Sequence, residues 1–142
     1  MRVFDLMSDS TITVGASEPV TAAARLMRQY NIGAVPVCDG KGQLRGMITD
    51  RDIVIRCTAL DKSAKETKVA DVMTRGAITI DDRAHVGEAA RLMADAQIRR
   101  LPVCRDGILV GMLSLADLAR SSDCDTEAAE ALCEISKNIR RT

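Results

Sequence analysis

Two segments carry the residue types best suited to chemistry. Gly46-Met47-Ile48-Thr49-Asp50-Arg51-Asp52 and Gly111-Met112-Leu113-Ser114-Leu115-Ala116-Asp117 share one pattern: a glycine, two apolar residues, a hydroxyl and, three residues on, an aspartate. In each, the hydroxyl stands where a strand gives way to a helix. Taken alone, the spacing is that of a helix cap, the hydroxyl accepting a backbone N–H and the acid closing the first turn. Two features point past capping: the pattern occurs twice at matching places, and each glycine leaves space just before the turn. A helix start offers free N–H groups and partial positive charge, which suit a phosphate. The hydroxyl adds a donor, and an aspartate one turn away can accept both hydroxyls of a ribose. That combination fits a nucleotide better than inorganic phosphate.

The elements around these segments are also duplicated. Asp5-Leu6-Met7-Ser8 returns 66 residues later as Asp71-Val72-Met73-Thr74, and Ala24-Arg25-Leu26-Met27 returns as Ala90-Arg91-Leu92-Met93. Val35-Pro36-Val37-Cys38 returns at the same offset as Leu101-Pro102-Val103-Cys104. A repeat in such register makes the functional unit a pair with a pseudo-twofold axis and two related sites. Repeats of about 50 residues are marginal alone, so the halves are expected to share a core. The division read from the pattern is repeat 1 over 1–58, a polar linker over 59–68, repeat 2 over 69–121 and a C-terminal helix over 122–142.

Each repeat reads strand, helix, strand, strand, helix. Thr11–Val14 is a β-favouring run, and Ser17-Glu18-Pro19 predicts a helix start with a capping serine. Val20, Ala23, Met27 and Tyr30 then fall on one helical face, and Gly33 breaks the helix. Strands are expected at 34–38 and 43–48 around the Asp39-Gly40-Lys41-Gly42 turn, with a helix over 50–57. In the second repeat the strands fall near 77–80, 100–104 and 108–113, and the helices near 84–96 and 115–121. In the tail, Ala128, Leu132, Ile135 and Ile139 make a narrow apolar seam that packs on its own module or on a second copy.

Composition excludes several functions. Basic and acidic residues balance at 20 each, giving no long-range attraction for nucleic acid or an anionic membrane. Phe4 and Tyr30 are the only aromatics, so no platform exists for stacking a run of bases. No apolar stretch approaches the ~20 residues that span a bilayer. The N-terminus has no apolar signal core, so a cytoplasmic protein is expected. Five cysteines without C-x-x-C and one histidine, His85, offer no metal ligand set. Cys38 and Cys104 are repeat-equivalent and read as small buried apolar residues, a redox pair being the lesser alternative. His85 stands where Pro19 stands in the first repeat and reads as an exposed first-turn residue. No Ser–His or Cys–His pair can be assembled, so no enzyme is read here.

The D-h-M-[ST] openings, the two h-P-V strands and the two G-h-h-[TS]-x-x-D segments together resemble the cystathionine-β-synthase-type (CBS) domain pair, in its small stand-alone bacterial form. The resemblance runs from Val3 to about Arg120. It implies an α+β fold of two β-α-β-β-α repeats, commonly dimerised into a flat disc. It also implies adenosine-containing ligands (AMP, ADP or ATP, with NAD or S-adenosylmethionine as further possibilities) in clefts between the repeats. By position, Asp52 and Asp117 would hold ribose, and Thr49 and Ser114 phosphate or ribose. Sites in similar proteins are often composite. One would join Thr49 and Asp52 to Ile78, Ile98, Arg99 and Arg100, and the other Ser114 and Asp117 to Ile12, Ile32, Gly33 and Ala34, with Met47 and Met112 lining the slots. Arg51, Arg99 and Arg100 could meet phosphate with paired N–H bonds, which ranks the Thr49–Asp52 site as the stronger; the alternative for Arg99 and Arg100 is solvated surface arginines.

The function implied is a homodimeric regulatory module that binds an adenine nucleotide and acts on an unknown downstream protein. With no catalytic or channel domain attached, its output is expected on a separate molecule or through self-association. The rival is a dimeric interaction or stress-response protein whose clefts are structural only.

Overall fold

The computed structural model describes residues 1–121, 128–132 and 134–135. Apolar patterning places the elements. Val35, Pro36 and Val37 are a continuous apolar run because the strand they form is buried along its middle (β1, Ala34–Cys38). Leu44–Thr49 (β2) alternates instead, with Gly46 and Ile48 buried. The two pair antiparallel, Ala34 opposite Thr49 and Pro36 opposite Met47. They are joined through Asp39, whose Oδ1 accepts the N–H groups of Lys41 and Gln43, and through Gly42 at φ 81°. A two-residue strand, Thr74–Arg75 (β3), completes a sheet in the order β1-β2-β3.

Two helices belong to this unit. The first precedes β1 and runs Val20–Tyr30; preceded in the chain by the short Val3–Leu6 helix (α1), it is α2. The second, Asp50–Arg56 (α3), follows β2 directly. Val20, Ala23 and Met27 face the core, while Tyr30 lies exposed, so the expected apolar face ends one turn early. The helix start also differs from expectation. Pro19 is the N-cap and no side chain caps it; Ser17 plays no such part, and Glu18 instead accepts the Gly15 N–H at 2.6 Å. Asn31 closes the helix in the left-handed conformation at φ 53°, two residues before Gly33.

The other unit repeats the plan with Ile80–Asp81 (β4), Val86–Ala96 (α4), Arg100–Arg105 (β5), Ile108–Ser114 (β6) and Leu115–Ala119 (α5). Its sheet order is β4-β5-β6, and β4 runs parallel to β5. Asp106 at φ 52° and Gly107 at φ 82° form the tight β5–β6 turn, two left-handed residues whose twist matches a hairpin. His85 is the N-cap of α4, its Nδ1 accepting the Gly87 N–H at 3.0 Å. The strands expected at 11–14 and 77–80 are shorter: the first is a single parallel bridge from Val14 to Val37, the second only β4.

Sequence repeat and compact unit are different divisions. Ile12–Ala77 with Gly107–Leu109 form one unit, and Met1–Thr11, Ile78–Asp106 and the described residues from Val110 onward form the other. The expectation of one shared core is replaced by two buried clusters. One holds Val14, Val20, Val35, Val37 and Ile48 with Val69, Val72 and Met73 from the second opening. The other holds Val86, Met93, Leu101, Val103 and Leu113 with Val3 from the first opening, and Leu6 and Met7 packed against it. Repeats too small to close a core gain apolar area by exchanging their opening segments. The 59–68 stretch is equally fixed: Thr67 and Ala64 carbonyls accept the first N–H groups of α2, from Val20 and Thr21.

In the tail, residues 128–132 and 134–135 are helical, and Ala128, Ala131 and Ile135 are buried in the cluster around Met93. The seam therefore packs on its own module but is placed differently: Leu132 is 52% exposed, with Ala131 buried in its stead. Ile139 lies outside the described residues. The cysteines differ as well: Cys38 and Cys104 are only half-buried, and among the described cysteines Cys57 is the buried one. No helix among the described residues is long and apolar enough to cross a membrane.

Candidate functional site

The two G-h-h-[TS]-x-x-D segments fold alike, and β2 and β6 explain why. Each strand ends on a hydroxyl in extended conformation, with Thr49 at φ −114° and Ser114 at φ −109°, and a helix begins at the next residue. Thr49 Oγ1 accepts the Asp52 N–H at 3.0 Å, and Asp52 Oδ2 accepts the Thr49 N–H at 3.0 Å. Ser114 Oγ accepts the Asp117 N–H at 3.1 Å, and Asp117 Oδ2 accepts the Ser114 N–H at 2.8 Å. Both turns are thus closed capping boxes.

The cap consumes groups that the sequence had offered to a phosphate. In α3 the Asp52 N–H goes to Thr49, the Arg51 N–H to Asp50 Oδ1 at 2.8 Å, and the Asp50 N–H to the Gly33 carbonyl at 2.9 Å. The expected free N–H groups at this helix start are therefore spent within the chain. What remains for a ligand is the Thr49 hydroxyl proton and the second carboxylate oxygen, Asp52 Oδ1. That oxygen has the Thr74 hydroxyl at 3.5 Å and Arg56 Nη1 at 3.9 Å. Arg56 spends its Nη1 donors on the Val72 and Met73 carbonyls at 3.1 and 3.2 Å, tying α3 to the exchanged opening.

Gly46 is the hinge of this arrangement. A Cβ there would stand 2.5 Å from the Thr74 carbonyl oxygen, so only glycine lets β3 lie against β2. In the other unit a Cβ at Gly111 would meet the Ser8 carbonyl at 2.8 Å and Met7 Sδ at 2.6 Å. Ser8 and Met112 exchange backbone hydrogen bonds of 2.9 Å. The D-h-M-[ST] opening thus lies over the glycine of the capping segment in both units. This brings Thr74 beside Asp52, a residue that the reading of the sequence left out of the site. The signal was present, since a hydroxyl ends both openings.

The remaining predicted residues are placed unit by unit. Gly33 and Ala34 adjoin Thr49: Ala34 pairs with it across β1 and β2, and a Cβ on Gly33 would lie 3.0 Å from Asp50 Oδ2. Ile12, Ile32 and Met47 are half-buried in the same unit, and Arg51 is exposed. In the other unit the Arg99 carbonyl accepts the Leu115 N–H at 2.8 Å, the counterpart of Gly33 with Asp50. Arg99 and Arg100 are exposed, as is Ile78, while Ile98 and Met112 are half-buried. The same backbone junction therefore carries Gly33 and the acid Asp50 in one unit, and Arg99 and the apolar Leu115 in the other. The second oxygen of Asp117, Oδ1, is ion-paired with Arg120.

Among the described residues, no group of three or more His, Cys, Asp and Glu side chains gathers to hold a metal. Elsewhere Arg83 pairs with Asp81 and Arg105 with the buried Asp82. Arg83 holds the Asp81 carboxyl down at about 2, chiefly through its side-chain hydrogen bond, and burial pushes the Cys104 thiol up.

Comparison with known proteins agrees with this geometry. The sequence profile of the CBS domain matches residues 3–57 and 69–123. The CBS domain-containing protein YhcV of Bacillus subtilis is 40% identical over 134 residues, covering 94% of each chain. Hypoxic response protein 1 of Mycobacterium tuberculosis is 37% identical over 116 residues, covering 82% of this chain and 81% of that one. A crystal structure of Hypoxic Response Protein I with two coordinated zinc ions superposes with a TM-score of 0.78 at 36% identity, over 84% of this chain and 98% of that one. The CBS domain pair of protein MJ0100, in complex with 5′-methylthioadenosine and S-adenosyl-L-methionine, superposes with a TM-score of 0.72 at 30% identity, over 84% of this chain and 94% of that one. With both repeats matched and both capping segments built alike, the chain belongs to the CBS domain family, as a tandem pair of CBS repeats.

Proposed function

We propose that this chain is a regulatory module that binds an adenosine-containing ligand of the AMP, ADP or ATP class, with NAD and S-adenosylmethionine as further candidates. The contacts proposed are the ribose hydroxyls on Asp52 and Asp117, and ribose or phosphate on Thr49 and Ser114. Arg51, Arg99 and Arg100 supply positive charge for phosphate. Met47, Met112, Ile12, Ile32, Gly33, Ala34, Ile78 and Ile98 supply apolar or backbone surface for the base. The observation that carries this reading is the half-used carboxylate of Asp52: one oxygen closes the cap, and the other is held only loosely, by a hydroxyl at 3.5 Å and a guanidinium nitrogen at 3.9 Å. A ligand signals through such a module by favouring one of its arrangements over another.

Self-association belongs to the same proposal. Val54 on α3 and Leu60 just after it, 58% and 59% exposed, present apolar surface, which supports a homodimer. Sedimentation is expected to show a dimer at tens of micromolar, and monomer alone would count against it.

A second reading rests on the same hydrogen bonds. Both capping boxes are complete without a ligand, as they would be in a ligand-free interaction protein. Thermal shift separates the two. Saturable stabilisation by AMP, ADP, ATP, NAD or S-adenosylmethionine, lost in Asp52→Ala or Asp117→Ala, supports the sensor. No shift with any of them supports the interaction protein.

A further inference from the structure

We propose that Arg120 is a built-in competitor for the ligand-binding oxygen of Asp117, a specificity-determining residue that makes the two turns unequal; the inference rests on the nucleoside reading above. In both turns one aspartate oxygen is committed to the cap. The Asp117 side chain is 17% exposed, and its other oxygen carries the guanidinium of Arg120, one helical turn further along and 73% exposed. A ribose hydroxyl approaching that oxygen meets the guanidinium first, and has to displace it or share the oxygen with it. The first repeat has only a looser counterpart, in Arg56 four residues after Asp52. Ile55 stands three residues after Asp52 and carries no charge. The nearest cation, Arg56, is 3.9 Å away and donates to two backbone carbonyls. The two side chains are similarly buried, 12% and 17% exposed. Asp52 Oδ1, however, has only a 3.9 Å ion pair and a 3.5 Å hydroxyl contact, whereas Asp117 Oδ1 carries a close ion pair that a neutral nucleoside must compete with.

An exposed ion pair contributes little, so the handicap is small: about 1.5- to 5-fold in affinity. It is also screened by salt, which gives a signature that a merely structural arginine lacks. The test is adenosine titration of the wild type and of Arg120→Ala, followed through the backbone amide signals of Asp117 and Asp52. Arg120 is a surface residue, and Arg120→Gln serves as a second variant that keeps most of its bulk. At low salt, both variants are expected to bind adenosine about 1.5- to 5-fold tighter at Asp117 and unchanged at Asp52. In about 0.5 M salt, where screening reaches within a few ångströms, the difference closes. Equal affinity at Asp117 in wild type and variants overturns the competitor role alone, and so does weaker binding in the variants, which would make Arg120 a ligand contact. Adenosine binding that moves neither amide in any of the proteins overturns the nucleoside reading and this inference with it.

Discussion

Replacing Gly46 by alanine tests how the exchanged opening is held against the capping segment. The added methyl would stand 2.5 Å from the Thr74 carbonyl oxygen, 3.2 Å from Met73 Sδ and 3.4 Å from the Thr74 carbonyl carbon. Two of those atoms are backbone, so no rotamer change relieves the clash, and Thr74–Arg75 must move off β2. That movement breaks the Gly46–Arg75 and Met47–Thr74 pairing. It also strains the Arg56 hydrogen bonds to Val72 and Met73. Overpacking of a buried site costs about 1–3 kcal/mol. For a chain of this length, a loss of about 2 kcal/mol lowers the melting temperature by roughly 5–8 °C. Gly40→Ala is the control, because a Cβ there meets nothing within 4 Å; a surface change of that kind stays within about 0.5 kcal/mol. Calorimetric melting of both variants is the assay. The reasoning fails if Gly46→Ala melts within a degree or so of Gly40→Ala. A second readout follows from the same movement: Thr74 leaves Asp52, so adenosine affinity at that turn is expected to fall alongside stability.

Thr49→Ala removes the acceptor for the Asp52 N–H and is expected to cost about 0.5–2 kcal/mol in denaturant unfolding, with Thr49→Ser recovering most of it. In the tail, Ala131 is fully buried and Leu132 is 52% exposed. Ala131→Leu should therefore cost about 1–3 kcal/mol, while Leu132→Ser stays within about 0.5 kcal/mol; the reverse order would place the other helical face inward. Arg83 holds Asp81 near 2, below its ordinary value of 3.8. A carboxyl depressed in the folded state contributes stability above its ordinary value and loses it as pH falls towards 2. Arg83→Ala is expected to return the Asp81 carboxyl, followed by carbon-detected titration, towards its ordinary range and to remove that acid-side loss.

Much of this molecule is legible in its sequence because its signals are local. The h-P-V runs, the Asp-Gly turn and the capping spacing each depend on a few adjacent residues, and Thr49 and Ser114 cap as their pattern implies. The exchange of openings was not legible. Met73 and Met7 have the same local sequence whichever body they pack on, and only the glycine opposite decides where a backbone can lie that close. Thr74 was missed for the same reason. Ser17 looked like a cap, but Pro19 already sets the entry to α2, and backbone carbonyls of 64 and 67 satisfy its first N–H groups. In the tail, spacing by four and three fitted Leu132 and Ala131 equally well, and hydrophobicity favoured the larger residue over the one that fits a tight contact. The closer ion pair at Asp117 was hidden because it depends on a single surface arginine, Arg120.

Crystals of the protein grown with adenosine or AMP test the central claim most directly. The account predicts a ribose whose hydroxyls lie within hydrogen-bond distance of Asp52 Oδ1, with the capping bonds from Thr49 intact and the Asp117 turn filled less completely. Ordered water alone beside both aspartates, at ligand concentrations that saturate related pairs, would contradict it and leave the two turns as helix caps.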